Sequence, residues 1–194
     1  MRRLILGAVV GLWPLLAQAD PIALQPDQVL RGHFVQDRFL AGFAHPVRSE
    51  GSFVLAPGRG LIWRGEKPFA VLSVITPAGM AQSLGGKPTM HLSAAQVPFL
   101  ARLHQVMAGA MAGDWPAVEA EFILTRTGDR ITLTPRGGEL AQPVKAITAR
   151  MDRFVEEVEV IKGEGDRDHL VFSQQGISRT PLSEDEAAAF ALVK

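Results

Sequence analysis

Residues 48–75 read RSEGSFVLAPGRGLIWRGEKPFAVLSVI, three short apolar runs separated by two turn clusters. Pro57-Gly58-Arg59-Gly60 supplies the first reversal and Gly65-Glu66-Lys67-Pro68 the second. Gly tolerates positive φ and Pro fixes φ, so each cluster is a turn with a mechanism. The runs between them, 51–56, 61–64 and 69–75, are rich in Val, Ile, Phe and Trp and too short for helices. They predict three successive strands of an antiparallel meander. Phe53 and Leu55 share one parity and Val54 takes the other, while Phe69, Val71 and Ile75 alternate with Ala70, Leu72 and Val74. A strand apolar on both faces has to be covered on both, or has to meet something apolar that is not its own core.

Upstream of this stretch, Arg2 and Arg3 precede an apolar run over 4–16, and Ala17-Gln18-Ala19 precedes Asp20. That order is a secretory signal peptide. As a membrane span the run falls short of the ~20 residues required, and Pro14 interrupts it. The expected organisation is a signal peptide over 1–19 and a single domain over 20–194, located in the periplasm. The chain has no Cys, so it carries neither a disulfide nor a lipid on a thiol and folds on its core alone. Its 20 basic and 20 acidic residues balance, and loss of Arg2 and Arg3 leaves a net charge of −2. That is no footprint for nucleic acid.

On either side of the meander the chain continues in short segments. Pro26, Val29 and Leu30 predict a short helix before a strand in which Phe34 and Gln36 share a face. A strand over 80–84 lies between turns at 76–79 and 85–88. From Pro98 the period changes: Leu100, His104, Met107 and Met111 fall on one stripe, and Phe99, Leu103, Val106 and Ala110 on the next. Together they cover about half of a helix, well past the ~100° of a surface helix. Asp114 caps a short helix from Trp115. Strands resume at 121–127 and 130–135 around the Gly128-Asp129 hairpin signal, then at 144–151, 154–162 and 169–174. Within 154–162, Glu157 and Glu159 oppose Phe154, Val158 and Val160, which gives that strand one wet face and one dry face. Ser183 followed by Glu184, Asp185 and Glu186 opens a last helix over 183–192. About ten strands and three or four helices make an α+β fold, helices against a large antiparallel sheet.

Catalytic constellations are thin. No thiol exists, and the histidines at 33, 45, 91, 104 and 169 lack metal-ligand spacing. No Ser sits in a GxSxG elbow. Gly85-Gly86-Lys87 has Ala81 and Pro88 where a phosphate loop needs Gly and Ser or Thr. The acids Glu156, Glu157 and Glu159 read as a solvated strand face. The chain is read as a non-enzyme with no cofactor and no metal. What remains is apolar surface, and Met80, Met90, Met107, Met111 and Met151 fit two arrangements. They either fill a thick core or line a cavity whose thioethers adapt to a guest.

The motifs Gly32-x-Phe34-x-Gln36, Glu50-Gly51-x-Phe53 and Leu61-x-Trp63, with Pro68 after them, resemble the periplasmic outer-membrane lipoprotein carrier family, LolA. Pro98-Phe99-x-x-x-Leu103, Gly113-Asp114-Trp115 and Ile131-x-Leu133-x-Pro135 are similar to later segments of that family, so the resemblance spans nearly all of residues 20–194. It implies an open, unclosed antiparallel β half-barrel with a helical lid over a hydrophobic cavity. The implied function is a carrier, a monomer, that takes the acyl chains of lipoproteins or another amphiphile from an inner-membrane ABC-type donor to an outer-membrane acceptor. The alternative is a lipid-sensing or scaffolding module of the same fold. On this resemblance the acyl-chain cavity comprises Phe34, Phe53, Leu55, Leu61, Trp63, Phe69, Val71, Phe99, Leu103 and Met107. The family's lid-holding arginine precedes a Pro; here Arg59 follows Pro57 and is the expected lid latch.

Overall fold

The computed structural model describes residues 24–96, 115–141 and 144–193. Within them eleven strands form one antiparallel sheet. In chain order they are β1 (Val29–Phe39), β2 (Val47–Ala56), β3 (Gly60–Lys67), β4 (Val71–Thr76), β5 (Gly79–Leu84) and β6 (Lys87–Ser93). Then come β7 (Phe122–Thr127), β8 (Arg130–Pro135), β9 (Ala146–Met151), β10 (Val155–Ile161) and β11 (Arg167–Ser178). Helix α1 (Trp115–Glu121) precedes β7 and α2 (Glu184–Phe190) follows β11. Across the sheet the order is β6-β5-β4-β3-β2-β1-β11-β10-β9-β8-β7. Two meanders meet where the first strand pairs with the last, and β6 and β7 are the two edges. The sheet is open. The expected signal peptide and the broad apolar stripe from Phe99 to Met111 lie outside the described residues.

The central meander forms as the sequence predicts, with one correction. β3 runs on through Gly65, Glu66 and Lys67, and the reversal falls on Pro68–Ala70. Gly51 pairs with Gly65 while Glu50 pairs with Lys67, so Glu66 is an extra residue bulged out of the ladder. A bulge absorbs what the sequence presents as a turn. Nor do the described residues before β1 form a helix: a turn at Pro26-Asp27 leads straight into the strand, where Leu30 pairs with both Leu55 and Ile177. β6 also begins at Lys87-Pro88, which the sequence presents as a turn. Pro is tolerated there because β6 is an edge, where a missing N–H costs no ladder bond.

Register assigns every side chain to a face. Leu30, Phe34, Phe53, Leu55, Leu61, Trp63, Phe172, Val158, Ile147, Ile131, Leu133 and Leu124 share one, here the aromatic face. At its centre Leu24, Leu30, Phe53, Leu55 and Leu61 form a buried cluster with Trp63, Phe154, Phe172 and Ile177. Towards β7, α1 lays Val118 and Trp115 against Phe122, Ile131 and Leu133 of the same face. The opposite face splits in two. Under α2, Val29, Ala56, Ile62, Val74 and Ala81 pack against Ala189, Phe190 and Val193. Beyond β11 it is polar.

Helix α2 is held at its start. Ser183 and Glu186 form a reciprocal capping box, which satisfies two orphan N–H groups. Arg31 on β1 donates from Nε and Nη2 to the two Glu186 oxygens, at 2.8 and 2.7 Å. It also donates to Ser178 Oγ at 3.1 Å and to the Pro181 carbonyl at 3.2 Å. The guanidinium holds the Glu186 carboxyl below the usual carboxylate range, as a fork-on-fork pair does.

Candidate functional site

The six described strand residues expected in the cavity do converge. Phe34, Phe53, Leu55, Leu61, Trp63 and Val71 all lie on the aromatic face. Phe34 stacks on Trp63 with ring centroids 3.7 Å apart, and Phe172 meets Phe53 and Trp63 edge-on at 5.5 and 6.1 Å. Phe34 is 1% exposed, so this cluster is packed core as well as site wall. Phe69 differs: outside β4, in the turn after Pro68, it is 69% exposed. Phe99, Leu103 and Met107 lie outside the described residues. Arg59 sits exposed at the tip of the β2–β3 turn, where its N–H donates to the Ala56 carbonyl at 3.0 Å.

Beside the cluster the aromatic face opens into a recess of about 320 Å³. Its cause is a run of missing side chains. Across four adjacent strands one row reads Phe34, Gly51, Gly65, Val71, so nothing fills the span between the phenyl ring and the valine. The two glycines are there for different reasons. A Cβ on Gly51 would lie 1.9 Å from the Arg64 carbonyl oxygen, whereas one on Gly65 would meet nothing closer than 3.6 Å. Gly51 is imposed by the backbone, and Gly65 leaves space. Gly32 serves the same wall: the Phe53 ring lies over it, 2.7 Å from where a Cβ would sit.

The recess has a polar end at Gln36 and Ser49, an apolar middle, and Ser73 and Gln82 at its other end in the row of Trp63. Phe34, Trp63, Val71 and Phe69 line it together with Gln36, Ser49, Ser73 and Gln82, and Gln82 Nε2 donates to Ser73 Oγ at 3.0 Å. Arg38, Val47 and Lys67 complete the polar end. Arg38 Nε donates to Asp168 Oδ1 at 3.2 Å, and Lys162 takes the other oxygen of the same carboxylate. Lys67 pairs with Glu50 and holds its carboxyl below the usual range. Sequence reading finds the aromatic wall and misses the polar end. The parity that places Phe34 also places Gln36 and Arg38 on its face, and that signal was available.

Among the described residues no group of His, Asp or Glu could hold a metal ion, and no helix is long and apolar enough to cross a membrane. No family model and no curated protein matches the sequence. Among solved structures the chain is similar to a LolA superfamily protein of Nitrosomonas europaea, at 10% identity over 84% of this chain and 91% of that one, with a TM-score of 0.41. A DUF1329 family protein of Desulfovibrio piger matches at 9% identity over 86% and 91%, with a TM-score of 0.41. A domain named for outer membrane lipoprotein sorting, from Vibrio parahaemolyticus, matches at 10% identity over 86% and 91%, with a TM-score of 0.36. All three superpose loosely, and the function is read from this chain's own side chains.

Proposed function

We propose that the protein is a periplasmic carrier that holds the acyl part of a lipoprotein or another amphiphile against the aromatic face and shuttles it from the inner to the outer membrane. The observation that carries the reading is the recess: an open sheet with apolar residues on one face across both meanders keeps an unfilled hollow beside its ring cluster. Open to water and walled by Phe34, Trp63 and Val71, it leaves apolar surface that an acyl chain would cover. Phe99, Leu103 and Met107, the remaining cavity residues expected from the sequence, fall between β6 and α1, outside the described residues.

The energetics suit a carrier. Burying ten methylenes is worth ~8 kcal/mol at ~0.8 each, which corresponds to a dissociation constant of about a micromolar. Such a complex forms readily and still hands over its cargo. An acyl chain bearing an environment-sensitive fluorophore should bind the full chain saturably at about micromolar concentration. Unlabelled acylated lipoprotein should displace it, and the loaded protein should deliver the probe to acceptor vesicles. Absence of saturable binding sinks the reading. Binding without delivery turns it into a lipid sensor.

A further inference from the structure

We infer that the recess is the seat of a single-chain amphiphile with an anionic head, a fatty carboxylate, whose head rests on Arg38. This rests on the amphiphile reading and narrows its ligand. The first ground is charge. The residues lining the recess include two cations, Arg38 and Lys67, and no acid. Arg38 is the less occupied of the two. It contacts Asp168 through Nε alone, and Asp168 is shared with Lys162, so two cations face one carboxylate and a positive charge is left over. Both Arg38 Nη groups are without a partner among the described residues, and the side chain is 49% exposed. A guanidinium with a free edge matches a carboxylate in two parallel bonds.

The second ground is size and direction. At about 320 Å³ the recess lies at the low end of the ~300–1,000 Å³ of ligand pockets. It holds about ten water-sized groups of ~30 Å³ each, one chain segment and not a bundle of three. Arg38 stands at the end of β1, and Phe34 two pairs further along the same face lies beside Gly51 and Gly65. A chain anchored at Arg38 therefore runs past Gln36 and Ser49 onto Phe34, Trp63 and Val71. Gln36 and Ser49 line its path close to the head, where an amide and a hydroxyl accommodate the carboxylate's water, and Ser73 and Gln82 lie at the far end beside Trp63.

Dodecanoate and its methyl ester share one chain and differ at the head, an anionic carboxylate in one and a neutral, methyl-capped ester in the other, and so separate the two claims. Titrated into the full chain with Trp fluorescence and calorimetry, dodecanoate should bind one to one and the ester about tenfold or more weakly, the loss of one charged hydrogen bond. Arg38→Gln should bring the two ligands to equal affinity while leaving the ester's unchanged. Gly65→Met should weaken both, because its side chain fills the hollow from a position with room for a Cβ. An unchanged melting curve shows that either variant has folded. If wild type binds acid and ester equally, the head assignment falls and the amphiphile reading stands. If neither ligand binds, both fall. If Arg38→Gln keeps the preference for the acid, the carboxylate sits elsewhere and the inference is overturned.

Discussion

In β2 to β5 the face opposite the aromatic one is covered by α2, whereas in β7 to β10 that face meets water. The near half carries Ile62 and Val74, 1% and 0% exposed, beneath α2. The far half carries threonines and charges at equivalent positions. Thr125, Thr132 and Thr148 lie side by side across β7, β8 and β9, and Arg150 reaches both Glu156 and Glu157. It reaches two neighbours because the pairing shifts between Val155 and Glu157, and a bulge turns both carboxylates the same way. His169 bonds Glu157 at 2.7 Å and Arg167 bonds Glu159 at 3.0 Å. The two halves share one backbone plan. Whether a strand is apolar on both parities or on one decides whether it acquires a second layer.

That contrast predicts unequal responses to the same kind of change. Ile62→Ala should destabilise the protein by about 2–5 kcal/mol, as buried large-to-small substitutions do. Ile123→Ala, on the same face of β7 but 50% exposed, should change it by at most about 0.5 kcal/mol. Urea midpoints of the two variants measure the difference directly. Equal losses would mean that the far half is also covered.

A smaller effect separates the ion pairs of the two halves. Arg31→Ala removes the fork on Glu186 and should cost about 1.5–3 kcal/mol. Arg150→Ala, in a half-exposed ladder that solvent screens, should cost clearly less than Arg31→Ala. The Arg31 pair also predicts a pH dependence. The Glu186 carboxyl is lowered, first by the Arg31 hydrogen bond, so its folded form binds its proton later than the unfolded chain does. Its contribution is complete above the ordinary Glu range and is lost as pH falls through the lowered value. Thermal melts across that acid range should show a slope that flattens in Arg31→Ala. An unaltered slope would place the acid sensitivity elsewhere, for which Glu157, lowered by His169 and then Arg150, is the next candidate.

Least of all should follow from Arg59→Ala. An exposed turn side chain with no bond among the described residues should shift stability by less than about 0.5 kcal/mol. A larger loss in melting temperature would mean that the Arg59 side chain is held by something beyond its own turn.

Most of the sheet was legible because alternation and turn chemistry are local. The meander, the Gly128-Asp129 hairpin, the wet face of β10 and the Ser183 cap all depend on residues within a few positions of one another. The misses come from long-range terms. A bulge at Glu66 extended β3 through an apparent turn, and an edge position allowed Pro88 into β6; neither position is written in the residues themselves. The site was half legible for the same reason. Phe34, Phe53 and Trp63 announce themselves by size. The recess next to them is an absence, made by two glycines brought into line by pairings between β2 and β3, and Arg38 becomes available only through what Lys162 does to Asp168.

The pairing of β1 with β11 has a consequence in time. Val29 finds Ser178 and Phe39 finds Arg167, so the seam of the sheet joins residues from opposite ends of the chain. Sheets built on such distant pairings fold slowly, because loop closure precedes the contacts that reward it. Ile62 and Val74 wait as well, since the helix that covers them follows β11 in the chain. Until β11 and α2 dock, the first meander therefore stands with one apolar face bare, a state in which partly folded chains aggregate.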